Sequence, residues 1–98
     1  MKQEQIYQEL KNLAEKLGLI VVEKSFRNLG ITVRSGFCRI KNENKFLMDK
    51  HKSLEHRISI LATELNAYEL ESIYIMPVIR EILHEHAQIG LPDLPDDD

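Results

Sequence analysis

The chain is short, acidic and moderately hydrophobic. Its 98 residues suffice for one domain, its hydrophobic content of 43% is too high for a disordered chain, and its net charge is −3. No apolar run approaches the ~20 residues of a membrane-spanning helix, and the polar start of the chain does not resemble a signal peptide. A single cysteine, Cys38, excludes an internal disulfide. We therefore expect a cytoplasmic protein that has no membrane partner.

The charge is distributed unevenly along the chain. Residues 24–57 hold nine Lys or Arg residues against three acidic ones, a net charge of +6. Residues 58–98 hold nine acidic residues against Arg80 alone, a net charge of −8. Such a division can steer an anionic partner to the middle of the chain, align two copies head to tail, or serve solubility alone.

The first predicted element is an amphipathic helix over residues 3–17. Its apolar residues recur at helical spacing on one face, at Ile6, Leu10, Leu13, Ala14 and Leu17. Gly18 should end the helix, because glycine adopts the left-handed conformation at no steric cost.

Two strands should follow this helix. Residues 19–22 form a β-branched run that is typical of a buried strand. A turn is predicted over residues 27–30, and a second strand begins with Ile31 and Val33 on one face.

A bulge and a hairpin are predicted next. The Ser35-Gly36 pair should shift the inward face of the second strand to Cys38 and Ile40. A turn over residues 42–44 then leads into a return strand over residues 45–48.

Two further helices complete the predicted fold. Ser53 should cap a helix that runs to about Ala67, with a main apolar stripe at Leu54, Ile58, Leu61 and Leu65. Pro77 suits the first turn of another helix, whose inward side chains should be Val78, Ile79, Ile82, Leu83 and His86 and which Gly90 should end. The prediction is an α+β fold over residues 1–89, with helices packed on one small three-stranded sheet in the order α-β-β-β-α-α. Residues 90–98 should form an acidic flexible tail.

The helix predicted after Ser53 carries a second stripe of apolar and small residues, Ile60, Thr63 and Ala67. A solvated helix face would normally carry Lys, Glu or Gln at such places. We therefore predict that this stripe is a candidate interface, covered either by the third helix or by a second chain.

Two short segments are similar to motifs of a known protein family: Leu61-Ala62-Thr63-Glu64-Leu65 and Ile75-Met76-Pro77. Together with the preceding hairpin they resemble the ImmA/IrrE-type zinc metallopeptidase domain. In that family the hairpin's second strand leads into a helix reading LAHELGH, and a Leu-Leu-Met-Pro stretch opens a later helix. Such enzymes hold zinc between two histidines one helical turn apart, and the glutamate between them activates a water molecule.

Most of the chemistry of that family is missing from the matching positions. Thr63 and Ala67 stand where the two histidine ligands would be, and neither side chain binds zinc. Asn66 stands at the glycine position, and only Glu64 matches a functional residue. The resemblance therefore implies a degenerate site at Thr63, Glu64 and Ala67, without hydrolysis.

Other reactive side chains form no recognisable site. His51 and His56 are five residues apart and His84 and His86 are two apart, so neither pair has the spacing that shares a metal on one helix. Cys38 lies beside Arg39 but has no evident base, so a structural thiol is the preferred interpretation. We predict no catalytic residue, no metal site and no cofactor.

The basic hairpin is an alternative functional surface. Within residues 34–52, the candidate anion-binding side chains are Arg34, Arg39, Lys41 and Lys45, with phenylalanines interleaved. Basic groups with exposed aromatics can hold single-stranded nucleic acid, although a pI near 5.8 counts against it.

Three functions remain from the sequence, in order of preference. The first is a non-catalytic cytoplasmic domain that acts through contact with a protein partner or with itself as a homodimer. The second is a nucleic-acid-associated module that uses the basic hairpin. The third is a metal-dependent hydrolase.

Overall fold

The computed structural model describes residues 1–25 and 36–89. They form three helices and three strands: α1 Gln3–Lys16, β1 Leu19–Lys24, β2 Gly36–Ile40, β3 Glu43–Asp49, α2 Leu54–Leu65 and α3 Pro77–Ile89. This order confirms the predicted α+β fold with one small sheet. The turn predicted over residues 27–30, the strand start at Ile31 and Val33, Ser35 of the predicted bulge and the predicted tail over residues 90–98 lie outside the described residues.

The described sheet has the strand order β1-β3-β2, so β3 is central. β1 runs parallel to β3 and β2 runs antiparallel to it. The β2–β3 hairpin turns on two residues, Lys41 and Asn42, whose φ angles are 53° and 66°. Two left-handed residues match the twist of a tight hairpin, so the turn predicted over residues 42–44 is displaced and β3 begins already at Glu43.

One face of the sheet is covered by α1 and α2, and Phe46 of β3 lies buried there. Cross-strand partners share a face of a sheet, and Phe37 of β2 is the partner of Phe46. Cys38 and its cross-strand partner Lys45 lie on the opposite face of the sheet. Ile40 lies on that face too and is 43% exposed. The prediction that Cys38 and Ile40 point inward is therefore wrong, because the strand pairing places Phe37 on the helix-covered side.

The core joins α1, α2, the sheet and α3 in one cluster. Its buried side chains include Tyr7, Leu10, Leu13 and Ala14 of α1, and Ile58, Leu61, Ala62 and Leu65 of α2. In α3, Ile79 and Leu83 are buried as predicted, whereas Val78 is 40% exposed, so the prediction that its side chain points inward is wrong. The apolar face of α3 is thus narrower than its sequence suggests.

The predicted helix ends are mostly confirmed. Gly18 follows α1 with a φ of 84°, and α3 begins at Pro77. Ser53 caps α2 by accepting a hydrogen bond from the backbone N–H of His56 at 3.1 Å. The exception is the end of α2, which stops at Leu65, so Ala67 lies in the turn beyond the helix. No helix in the described part of the chain is both long and apolar enough to cross a bilayer.

Candidate interaction groove between β2 and α2

The three degenerate-site positions lie at the end of α2. Thr63 and Ala67 are both exposed, and Glu64 is half-buried. The Glu64 carboxylate accepts a hydrogen bond from the Tyr68 hydroxyl at 3.2 Å, so it closes the turn that follows the helix. Burial, together with the charge and hydrogen bond of Glu64, raises the pKa of Tyr68. Among the described residues, no three His, Cys, Asp or Glu side chains come together as a metal site.

A groove of ≈ 380 Å³ opens between β2 and α2, and it is called the β2–α2 groove below. Phe46 is 4% exposed and Phe37, its cross-strand partner, is 51% exposed. The side chain of Phe37 therefore stands at the open edge of an apolar surface. The residues that line the groove are Gly36, Phe37, Phe46, Ser59, Ile60, Thr63 and Glu64.

This groove places two of the three predicted interface residues together. Ile60 is half-buried against the core and Thr63 is exposed, and both line the groove. Ala67 lies beyond the end of α2 and does not line it. Thr63 and Ala67 are exposed, so α3 does not cover them, and of the two predicted coverings of this stripe the second chain stays a prediction. Phe37 lies across the groove from Ile60 and Thr63. The sequence alone does not show this, because it follows from the pairing of β2 with β3.

The candidate anion-binding residues are not assembled on one surface. Arg34 lies outside the described residues. Arg39 is on the groove face of β2, Lys41 is in the hairpin turn, and Lys45 is on the opposite face of the sheet. Lys45 Nζ also lies 3.6 Å from a carboxylate oxygen of Glu43. Neither Arg39 nor Lys41 lines the β2–α2 groove, which lies at the Gly36 end of β2, away from the hairpin turn.

An unpaired acceptor lies next to Arg39. Asn44 of β3 is the cross-strand partner of Arg39, one step along the strands from Phe37 and Phe46. The side-chain oxygen of Asn44 is buried and has no hydrogen-bond partner among the described residues. A buried acceptor without a partner costs roughly 1–3 kcal/mol.

A polar cluster on the other side of the core was missed by sequence reasoning. The Tyr7 hydroxyl donates to Glu23 Oε2 at 2.6 Å, and Arg57 Nη1 lies 3.3 Å from the same oxygen. Lys11 and Arg57 both lie over the Tyr7 ring, at 4.9 and 5.1 Å from its centroid. The cluster ties α1, β1 and α2 together, so its role is to hold the helices on the sheet.

Glu23 is the charged centre of this cluster. Burial by itself would raise the pKa of Glu23, but the hydrogen bond from Tyr7 and the charges of Lys11 and Arg57 outweigh it and lower that pKa. Burial and the neighbouring Glu23 raise the pKa of Tyr7 in turn. The cluster therefore prefers an ionised Glu23 and a protonated Tyr7.

We expect Glu23→Gln to lower the free energy of unfolding at pH 7 by about 1 kcal/mol, because a charge-assisted hydrogen bond is weakened at a partly exposed site. A lowered pKa in the folded state stabilises the protein above the pKa of the unfolded chain, and that stabilisation is lost as the pH falls through the folded pKa. The difference between wild type and variant should therefore shrink below the ordinary glutamate value of 4.5. Urea unfolding at several pH values measures this, with Glu15→Gln on the exposed face of α1 as control. A difference that is unchanged at acid pH would contradict the assignment.

Two Ser–His contacts lie in a second cleft of ≈ 540 Å³, between the first turns of α1 and α2 and the end of α3. Ser59 Oγ lies 3.4 Å from His86 Nδ1, and Ser53 Oγ lies 3.3 Å from His56 Nδ1. Both distances are long for hydrogen bonds. Ser59 is inside α2, where backbone N–H groups are engaged within the helix and cannot form an oxyanion hole. The Ser59–His86 contact joins α2 to α3, and the Ser53–His56 contact lies at the N-terminal cap of α2.

Comparison with protein-family models, with curated sequences and with solved structures finds no significant match. The likeness to the ImmA/IrrE-type domain therefore remains a prediction from the sequence words alone.

Proposed function

We propose that this chain is a non-catalytic cytoplasmic domain that binds a protein partner through the β2–α2 groove. The observation that carries the proposal is the exposure of Phe37, 51%, beside the buried ring of Phe46. Partly exposed aromatic side chains over an apolar floor are the usual anchors of protein interfaces. Single exposed apolar residues are common on proteins, but here Ile60 and the methyl group of Thr63 continue the apolar surface across the groove.

The residues on the α2 side of the groove favour binding of a protein partner over catalysis. Thr63 and Ala67 occupy the positions at which the resemblance implies histidine ligands, and neither side chain can hold zinc. Glu64 matches the water-activating residue, but its carboxylate is engaged by Tyr68. Without a metal ion near it, a glutamate has no activated water to deprotonate. The end of α2 therefore contributes surface to the groove.

We expect the purified chain to retain no stoichiometric zinc after dialysis. The expectation follows from the side chains at positions 63 and 67, since threonine and alanine offer no ligand atom that competes for zinc. Elemental analysis of the protein measures the metal content directly. About one zinc ion per chain that survives dialysis would overturn the non-catalytic proposal.

The groove is tested by Phe37→Thr. Threonine keeps a β-branched residue in the edge of the sheet but removes the aromatic ring. The matched control is Tyr74→Thr, which removes an aromatic side chain that is 74% exposed and outside the groove. Wild type and both variants are cross-linked in the native host, and the captured proteins are compared quantitatively. A partner should be captured by wild type and by the control but lost with Phe37→Thr. Equal capture by all three proteins would show that the groove does not bind the partner.

Self-association is one form of the same proposal. Sedimentation of the purified chain at several concentrations shows whether the partner is a second copy. A dimer that dissociates on Phe37→Thr and persists on Tyr74→Thr would identify the groove as a homodimer interface. Arg39 and Lys45 lie on opposite faces of the sheet, which counts against binding of nucleic acid by the hairpin.

A further inference from the structure

The hairpin turn fixes the direction in which the backbone groups of β2 point. Lys41 and Asn42 have φ angles of 53° and 66°, so they are the two central residues of a type I′ turn. The residues that flank such a turn, Ile40 and Glu43, form its closing hydrogen-bonded pair, and they are partners in the sheet. Hydrogen-bonded and non-hydrogen-bonded pairs then alternate along the two strands.

This alternation divides the residues of β2 into two sets. Gly36, Cys38 and Ile40 direct their N–H and C=O groups toward β3. Phe37 and Arg39 direct theirs away from β3, to the outer edge of the strand. β2 is the last strand of the sheet, and no backbone hydrogen bond crosses its outer edge within the part of the chain that the structure describes. Two N–H and two C=O groups therefore face outward there.

The two residues with outward backbone groups also carry side chains on the helix-covered face. Phe37 lines the β2–α2 groove, and the exposed Arg39 lies on that face two residues along the strand. An extended segment paired with this edge places alternate side chains on the same face. One of them enters the groove between Phe37 and Ile60, where ≈ 380 Å³ is open. The next lies beside Arg39, where an acidic group is favoured.

We propose that an extended segment of the protein partner adds to the sheet as a further strand, along the outer edge of β2. Hydrogen bonds with the backbone of Phe37 and Arg39 hold the segment. Its apolar side chain fills the groove, and an acidic side chain two residues away faces Arg39. The inference rests on the groove being the contact surface of the proposed function, and it specifies the class of partner that fits.

Amide hydrogen exchange of the chain alone tests whether the edge is open. After correction for intrinsic rates, the amides of Phe37 and Arg39 should exchange at least about tenfold faster than those of Cys38 and Ile40, which bond to β3. Nuclear magnetic resonance of the ¹⁵N-labelled chain follows the four amides separately. Equal rates at all four would remove the alternation on which the proposal depends and would overturn it.

A displayed library of random linear peptides is the probe for strand addition itself. Peptides are selected on the wild-type chain and depleted on Phe37→Thr, so that those retained require the groove. We expect them to share an apolar and an acidic residue two positions apart. Single N-methyl groups on the peptide backbone should weaken binding about tenfold at alternate residues, and less than about threefold at the residues between them.

The pairing with Arg39 is tested by Arg39→Glu. This variant should bind the selected peptides about threefold more weakly, and replacing the acidic residue of the peptide by lysine should restore the affinity. The matched control is Arg80→Glu, at an exposed position of α3 outside the groove, which should leave the affinity unchanged. Equal weakening by the two variants would show that Arg39 does not face the peptide and would overturn the proposed register.

Three other results would overturn strand addition. They are a library without peptides that require Phe37, N-methyl effects without alternation, and selected apolar residues three and four apart, which indicate a bound helix. Partner capture in the native host with Phe37→Thr is measured independently of the peptides. Lost capture together with any of these results would therefore leave the groove as the contact surface and reject only the added strand.

Discussion

Replacing Leu61 by alanine should lower the free energy of unfolding by about 3 kcal/mol, in the range found for buried leucines. Leu61 is completely buried at the centre of α2, where the helix packs into the core shared by α1 and the sheet. The substitution removes apolar contacts and leaves a cavity that the neighbouring helices fill only in part. A domain of this kind is stable by roughly 5–15 kcal/mol in total, so the loss is a large share.

Thr63→Ala on the same helix is the matched control for Leu61→Ala. Thr63 is exposed at the rim of the groove, and its substitution should change the free energy of unfolding by no more than about 0.5 kcal/mol. Chemical denaturation monitored by circular dichroism measures both variants. Similar losses for the two would mean that the Thr63 side is packed as tightly as the core, and the groove would not be open.

Asn66→Ala should lower the free energy of unfolding by about 2 kcal/mol, because two backbone carbonyls lose a hydrogen bond at a partly buried site. Asn66 caps the end of α2, and its Nδ2 atom donates to Ala62 O at 3.1 Å and to Leu83 O at 2.8 Å. The second bond joins α2 to the middle of α3. Amide hydrogen exchange should therefore show that α3 opens more readily in the variant.

Asn12→Ala is the control for this substitution. Asn12 accepts a hydrogen bond from Gln8 at 3.0 Å on the exposed face of α1, so its removal should cost no more than about 0.5 kcal/mol. Thermal or urea unfolding compares the two variants. An Asn66→Ala protein as stable as Asn12→Ala would show that the contact with α3 contributes nothing to stability.

Asn66 also bears on the position of the groove. It stands where the resemblance implies a glycine, and the side chain it brings is used to hold α3 on α2. α3 in turn places His86 beside Ser59, at one end of the groove. The spatial relation between the groove and the end of α3 therefore depends on the Asn66 contact.

The helices and their order could be predicted from the sequence because their signals are local. Apolar spacing, the cap at Ser53 and the turn residues Gly18 and Pro77 each act within a few residues of the chain. The positions of Thr63, Glu64 and Ala67 in one short segment were visible for the same reason. Zinc ligands are missing from positions 63 and 67 because of the residues that the sequence places there, and packing cannot change this.

The inward faces of the strands could not be predicted in this way. Cys38 and Ile40 were expected inside, but the pairing of β2 with β3 places them opposite the helices and places Phe37 on the helix side. Strand register is set by contacts between residues that are distant in sequence, and a shift of one residue exchanges the two faces. The tight turn at Lys41 and Asn42 sets that register, and neither residue is a strong signal for it.

The groove, the Tyr7–Glu23–Arg57 cluster and the exposure of Val78 were likewise decided only by the tertiary structure. Each depends on how far one element extends past another: β2 lies at the edge of the described sheet, beyond β3, so the ring of Phe37 is left half uncovered. The sequence shows which side chains are apolar, and this limits which can be buried. Which of them remain open to a partner depends on the areas that neighbouring elements cover, and those areas follow from long-range packing.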